Sequence, residues 1–112
     1  MAYDERLAEK LRGVLRSKPD ITERKMFGGL AFLSRGYMFI GISGSALMAR
    51  IGPEHYEEAL ARSYVRVMDF TGKPMKGYVF VDPPGLERDR DVSDWAERCH
   101  GFVQSLPPKK AK

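Results

Sequence analysis

Apolar side chains recur at helical spacing near both ends of the chain and at alternating spacing between them. Over residues 3–18, Tyr3, Leu7, Leu11, Val14 and Leu15 form one stripe, while Glu5, Arg6, Glu9, Lys10, Arg12 and Arg16 take the other side. This is the pattern of an amphipathic helix; Gly13 weakens it slightly and Pro19-Asp20 stops it. Val92, Trp95, Ala96, Cys99, Phe102, Val103 and Leu106 repeat the pattern in the clearest helix of the chain, which Pro107 ends. A shorter helix is predicted from Gly52-Pro53-Glu54, with proline at the first helical position and acids in the first turn. Tyr56, Ala59 and Leu60 are its inner stripe.

From Glu23 to Ile51 the period changes to two. Arg24–Leu33 reads as one strand with Gly28-Gly29 inside it, Ser34-Arg35-Gly36 as a hairpin turn, and Tyr37–Ile42 as the second strand. Ser43-Gly44-Ser45 turns again into Ala46–Ile51, where Leu47, Ala49 and Ile51 alternate with Met48 and Arg50. Tyr37, Phe39 and Gly41 give the middle strand a second apolar face, so it is expected at the centre of the sheet or covering something. Tyr64–Phe70 and Tyr78–Asp82 follow as strands on either side of a loop, Thr71–Gly77, and Glu87–Asp91 reads as a polar connector.

The predicted order is α-β-β-β-α-β-β-α. It implies an α+β two-layer sandwich, a mostly antiparallel five-stranded sheet with helices on one face. The 112 residues suit a single domain, expected over 1–106, with 107–112 as a basic disordered tail. Of the 19 basic residues, Lys109, Lys110 and Lys112 lie in that tail, leaving 16 against 15 acids in the folded part. The net charge of +4 therefore does not by itself imply a nucleic-acid surface, which needs Lys and Arg clustered on one face. One cysteine cannot form an internal disulfide. No apolar run approaches the ~20 residues of a membrane span, so a cytoplasmic protein without a membrane partner is expected.

The residues that could carry chemistry do not converge. His55, His100 and Cys99 are too few for a zinc site without distant carboxylates. Cys99, on the inner stripe of the last helix, reads as a packed core thiol, and His55 and His100 as solvated side chains. Thr71-Gly72-Lys73-Pro74 looks like part of a phosphate loop. However, the P-loop pattern needs a glycine at position 67, a Ser or Thr after the lysine, and a following helix. Asp69 reads as a tether for that loop, pairing with Arg66 or Lys73. No Ser-His-Asp or paired-carboxylate set emerges, and no catalytic residue, metal or cofactor is expected.

Glycines punctuate three segments: Arg24-Lys-Met-Phe-Gly-Gly-Leu-Ala-Phe32, Leu47-Met-Ala-Arg-Ile-Gly-Pro53, and Arg66-Val-Met-Asp-Phe-Thr-Gly-Lys-Pro-Met-Lys-Gly-Tyr-Val79. Inside a strand, glycine marks a bulge, a bend or the close approach of another backbone. A bend at Gly28-Gly29 is the plainer reading, and a shallow groove beside Phe27 and Lys25 the sharper one. With these segments in order, the chain resembles the N-terminal domain of the TfoX/Sxy family from about Leu7 to Leu106. The resemblance implies a two-layer α/β fold like that of secretion chaperones, and an association with bacterial competence regulation at the level of gene expression. Full-length regulators of that family carry a second, C-terminal domain. This chain ends at Lys112, so a stand-alone N-terminal domain is expected, which need not share the regulator's task.

The resulting expectation is a non-enzymatic regulatory or adaptor domain that works through protein–protein contacts. Its candidate partner-binding residues are Lys25, Phe27, Gly28, Gly29, Arg50, Arg66, Lys73 and Lys76. A homodimer through the second face of the middle strand is a further expectation. The alternative is direct nucleic-acid binding through Lys25, Arg66, Lys73 and Lys76, joined by Arg24 and Arg50.

Overall fold

The computed structural model describes residues 3–18, 21–26, 29–68 and 77–106, with Met26 described through its backbone only. The first helix, α1, runs Glu5–Leu15 and buries Leu7, Ala8, Leu11 and Leu15. Its start is set by Asp4, whose Oδ1 accepts the Arg6 N–H at 2.8 Å and so satisfies a donor that the helix leaves open. Tyr3 lies outside the helix and bridges Gly44.

Two strands follow where the spacing predicts one. β1 (Ile21–Met26) and β2 (Gly29–Ser34) pair antiparallel, with Met26 opposite Gly29, so the chain reverses direction between them. The sheet therefore has six strands among the described residues, not five. β1 is where the period fails. It sits at the sheet edge, and Thr22, Glu23, Arg24 and Lys25 are exposed, so alternation has nothing to signal. Gly29 opens β2 beside the β1–β2 reversal, packed tightly against the next strand. A Cβ there would collide with the Ile42 carbonyl, and one on Gly41 would lie 2.7 Å from the Leu30 carbonyl. The glycines let the backbones of β2 and the next strand approach closely.

β3 (Tyr37–Ser43), β4 (Ala46–Arg50), β5 (Val65–Val67) and β6 (Tyr78–Val81) complete an antiparallel sheet of order β1-β2-β3-β4-β6-β5. Pairing of β3 with β2 jumps from Phe32↔Ile40 to Leu33↔Met38, leaving Phe39 as an extra residue. This bulge turns Phe39 and Ile40 into the same core. Phe39 is thus not on the second face, where the sequence pattern puts it, and neither is Tyr37, which packs against the same core. Between β4 and β5 lie a 3-10 turn, Pro53–His55, and a short helix, α2 (Tyr56–Leu60). After β6 a second 3-10 turn, Pro83–Leu86, leads into α3 (Asp89–Gln104). Asp91 accepts the Arg88 N–H at 3.1 Å, so part of the predicted polar connector is the first turn of the helix.

α1 and α3 pack against each other and cover one face of the sheet, giving the expected α+β two-layer arrangement. The core between them takes Leu30, Phe32, Ile40, Ile42, Leu47 and Ala49 from the strands and Val92, Trp95, Cys99 and Val103 from α3. The opposite face carries a smaller cluster, Ala31, Leu33, Met38, Met48 and Met68, with Tyr78 and Phe80 against it. β2, β3 and β4 are consequently buried on both faces, which explains why the middle strand reads as continuously apolar.

The β2–β3 turn ties the layers together. Arg35 and Gly36 both have positive φ, 53° and 84°, as a two-residue hairpin turn requires. From there Arg35 Nη2 donates to the carbonyls of Val103 at 2.8 Å and Leu106 at 3.3 Å. A cation thus caps the negative end of α3. Beside it, Gln104 Nε2 donates to Ser34 Oγ at 3.0 Å.

Candidate functional site

An open groove of about 800 Å³ runs between the Pro53–His55 turn with α2 and the C-terminal half of α3. Its floor is Ile51, Gly52 and Phe102. Gly52 lies at φ 90° and ψ 155°, a region essentially confined to glycine, and a Cβ there would meet the Phe102 ring at 2.5 Å. Its N–H and that of Ile51 both donate to the Gly77 carbonyl, at 3.1 and 2.8 Å. Two glycines from separate motifs therefore hold the end of β4 against the start of β6. Pro53 then opens the 3-10 turn that forms one wall.

The groove walls carry ionisable groups from both sides. Glu58 Oε1 lies 3.6 Å from His55 Nδ1 and 3.6 Å from Arg98 Nη1. Arg98 also lies over the Trp95 ring, 5.8 Å from its centroid. Glu97 meets Lys18 from the end of α1 at 2.9 Å. Glu54 is exposed and has no ion-pair partner among the described residues. Gly101 leaves a gap in the α3 wall, since a Cβ there would meet nothing within 4 Å. The arrangement offers an apolar floor between carboxylate-bearing rims, suited to binding. Among the described residues, no cluster of three or more His, Cys, Asp or Glu could hold a metal ion.

Of the side chains expected to form one contact surface, the described ones lie apart. Lys25, on β1, is exposed at one edge of the sheet, and Arg66, on β5, at the other. Five strand spacings separate those edges, roughly 24 Å. Arg66 pairs with Asp82 through Nε–Oδ2 and Nη2–Oδ1 bonds of 2.8 Å each. That bidentate pair holds the Asp82 carboxyl below its ordinary range. Arg66 also lies 5.1 Å from the Phe80 ring centroid. Arg50 is half-buried, its guanidinium 5.8 Å from the Tyr37 ring and 5.4 Å from those of Tyr78 and Phe102. Its Nη1 donates to the Met38 carbonyl at 3.4 Å. It stitches α3 to the sheet. Gly29 is buried against β3. Phe27, Gly28, Asp69, Lys73 and Lys76 lie outside the described residues, as do the loop 71–76 and the tail 107–112.

Cys99 and His100 differ from each other. Cys99 is fully buried, and burial pushes its thiol up to about 12. His100 is half-buried rather than solvated, its ring set edge-on to Phe39 with centroids 5.5 Å apart. Burial first, then the charge of Lys18, lowers its pKa, and Glu97 opposes the shift. The bulge that sends Phe39 into the core is what reaches His100. The groove residues escape sequence reasoning because their two walls are some forty positions apart. Gly101, a glycine in the last turn of α3, is the one local signal.

These features define a small α+β domain whose ionisable groups largely brace its own elements and whose open feature is an interhelical groove. A family model described as the TfoX N-terminal domain matches residues 14–103, and the chain belongs to that family. The match takes in the whole sheet, α2 and nearly all of α3 but only the last residues of α1, agreeing with the resemblance carried by the three glycine-punctuated segments. No curated protein and no solved structure matches the chain. Among the described residues no helix is long and apolar enough to cross a membrane.

Proposed function

We propose that the chain is a non-enzymatic regulatory or adaptor domain of the competence-regulator type, acting in the cytoplasm on gene expression through protein–protein contacts. The observation that carries this reading is the family match across residues 14–103. The state of the basic side chains supports protein contacts over nucleic acid. Arg12, Lys18, Arg35, Arg50, Arg66 and Arg98 are each engaged with carboxylates, carbonyls or rings of the chain itself. A duplex-binding surface instead presents several such groups together on one face.

The test is affinity capture from the native cell with the full chain, combined with transcript profiling of a strain lacking it. One specific protein partner, and altered expression restored by the wild-type chain, are the expected results. Unaltered transcripts together with no retained protein would sink the reading. Lys73→Glu with Lys76→Glu in the same capture tests whether that loop belongs to the contact.

The nucleic-acid reading keeps Arg24 and Lys25, exposed on β1 without ion-pair partners among the described residues. It requires a gel shift at low ionic strength that falls steeply with salt. Loss of that shift on removing 107–112 would assign it to the tail lysines instead.

A further inference from the structure

From the groove between α2 and α3 we infer a docking site for a basic peptide segment of a partner protein, with an apolar side chain as its anchor. The inference rests on the adaptor reading and names the chemistry of the partner. Three observations carry it. The floor is apolar, with Ile51, Gly52 and Phe102 below and Pro53 at the side, so an inserted aliphatic or aromatic group loses water on entry. The rim formed by the 3-10 turn and α2 is acidic, with Glu54 and Glu58, while the α3 rim carries Glu97, paired with Lys18, and Arg98, the one Lys or Arg of the lining. Charge complementarity therefore selects lysine or arginine flanking the anchor, on a chain whose overall charge is +4.

The third observation is Gly101. Glycine within a helix costs about 0.5–1 kcal/mol relative to alanine. Nothing in the chain requires it at this position, since the space beyond its Cα is open and φ is not positive. The missing side chain widens the groove between Arg98 and Ser105, at the place an anchor would enter. Gly13 in α1 has the same freedom but lines no part of the groove, and this makes it the natural control.

Of the engaged carboxylates Glu58 remains available, whereas Glu97 is held by Lys18 at 2.9 Å. Glu58 lies 3.6 Å from both His55 and Arg98, and its side chain is half exposed. Such loose surface pairs contribute little and exchange readily for an incoming cation. Glu54 needs no exchange.

The experiment is selection of a randomised peptide library on the immobilised full chain, with Gly101→Trp, Glu54→Lys and Gly13→Trp measured in parallel. Circular dichroism verifies that each variant folds, as the open space at both glycines predicts. Enriched peptides are expected to combine Lys or Arg with one apolar residue and to weaken as salt is raised. Gly101→Trp should abolish their binding, Glu54→Lys should weaken it roughly three- to tenfold, and Gly13→Trp should leave it unchanged. Acidic enriched peptides, no enrichment, or binding that Gly101→Trp leaves intact would overturn the proposal. Self-association that Gly101→Trp abolishes would overturn it in favour of a second copy of this chain. A cellular partner still captured by Gly101→Trp would remove the groove and leave the adaptor reading standing.

Discussion

Gly52 and Gly101 lie close together in the groove and are glycines for opposite reasons. Gly52 is held at φ 90° with its Cα against Phe102, so a side chain there meets both backbone strain and a ring. Gly52→Ala is expected to destabilise the fold by about 2 kcal/mol, whereas Gly101→Ala should stabilise it by about 0.5–1 kcal/mol. Urea titrations of the two variants check both signs. Cys99 supplies a second test at this scale. Its sulfur is fully buried and its thiol is held up to about 12, so a thiol reagent at pH 8 should leave the native chain unmodified and label one site on denaturation. Rapid labelling of the native chain would contradict the packing of α3. Cys99 as a core thiol was legible from its place on the apolar stripe. The environment of His100 was not, because it depends on a bulge in a strand some sixty residues earlier.

Elements behave as their patterns predict where one face is buried and one is wet. α1 and α3 follow their stripes to within a turn, and β4 alternates Leu47 and Ala49 against Met48. The failures share a cause. β1 is an edge strand whose exposed side chains carry no alternation, and it merged with β2 into a single predicted strand. Phe39 follows the alternation on paper, but the extra residue in β3 reverses its face. What joins elements was also hidden. Arg35, in an unremarkable hairpin turn, reaches the end of α3 through two bonds to carbonyls, and bonds from a charged donor stabilise by about 1.5–3 kcal/mol. Arg35→Ala should therefore cost about 1–3 kcal/mol, read by thermal denaturation. Arg35→Gly separates the causes. It relieves the positive φ but removes the cap, so it should destabilise as well if the cap is what matters.

At the scale of the whole molecule, ion pairs and caps link the three ends of the structure. Lys18 at the end of α1, Arg35 in the β2–β3 turn and Glu97 on α3 all surround His100, with Phe39 and Gln104 in contact with its ring. Its folded pKa is lowered from the model-peptide value of about 6.5. Above that value the imidazole is neutral in both states and contributes no pH dependence. As pH falls below it, the unfolded chain takes up the proton first, so stability is lost down to the folded pKa and then levels. Denaturation midpoints from pH 7.5 to 5 should fall accordingly, and His100→Gln should flatten that part of the curve. Glu23 and Asp82, lowered by their bonds to Arg12 and Arg66, act in the same direction only at more acid pH. A midpoint independent of pH in the wild-type chain would contradict the packing of His100 against Phe39.

The sequence by itself determined the helices, the turns between the central strands, the α+β class and the family. These depend on local periodicity and on glycines and prolines whose backbone demands are local. It also named glycines that matter, although it could not say whether they bend a strand or let two backbones meet. The tertiary structure decided the number of strands, the face of Phe39, the partners of Arg35, Arg50 and Arg66, and the groove. Each of those is a contact between segments distant in the chain. A charged side chain looks the same in sequence whether it faces water, caps a helix or lies over an aromatic ring. Only the packing of α3 against the sheet distinguishes these, and it places Glu54 and Glu97 on opposite sides of one groove.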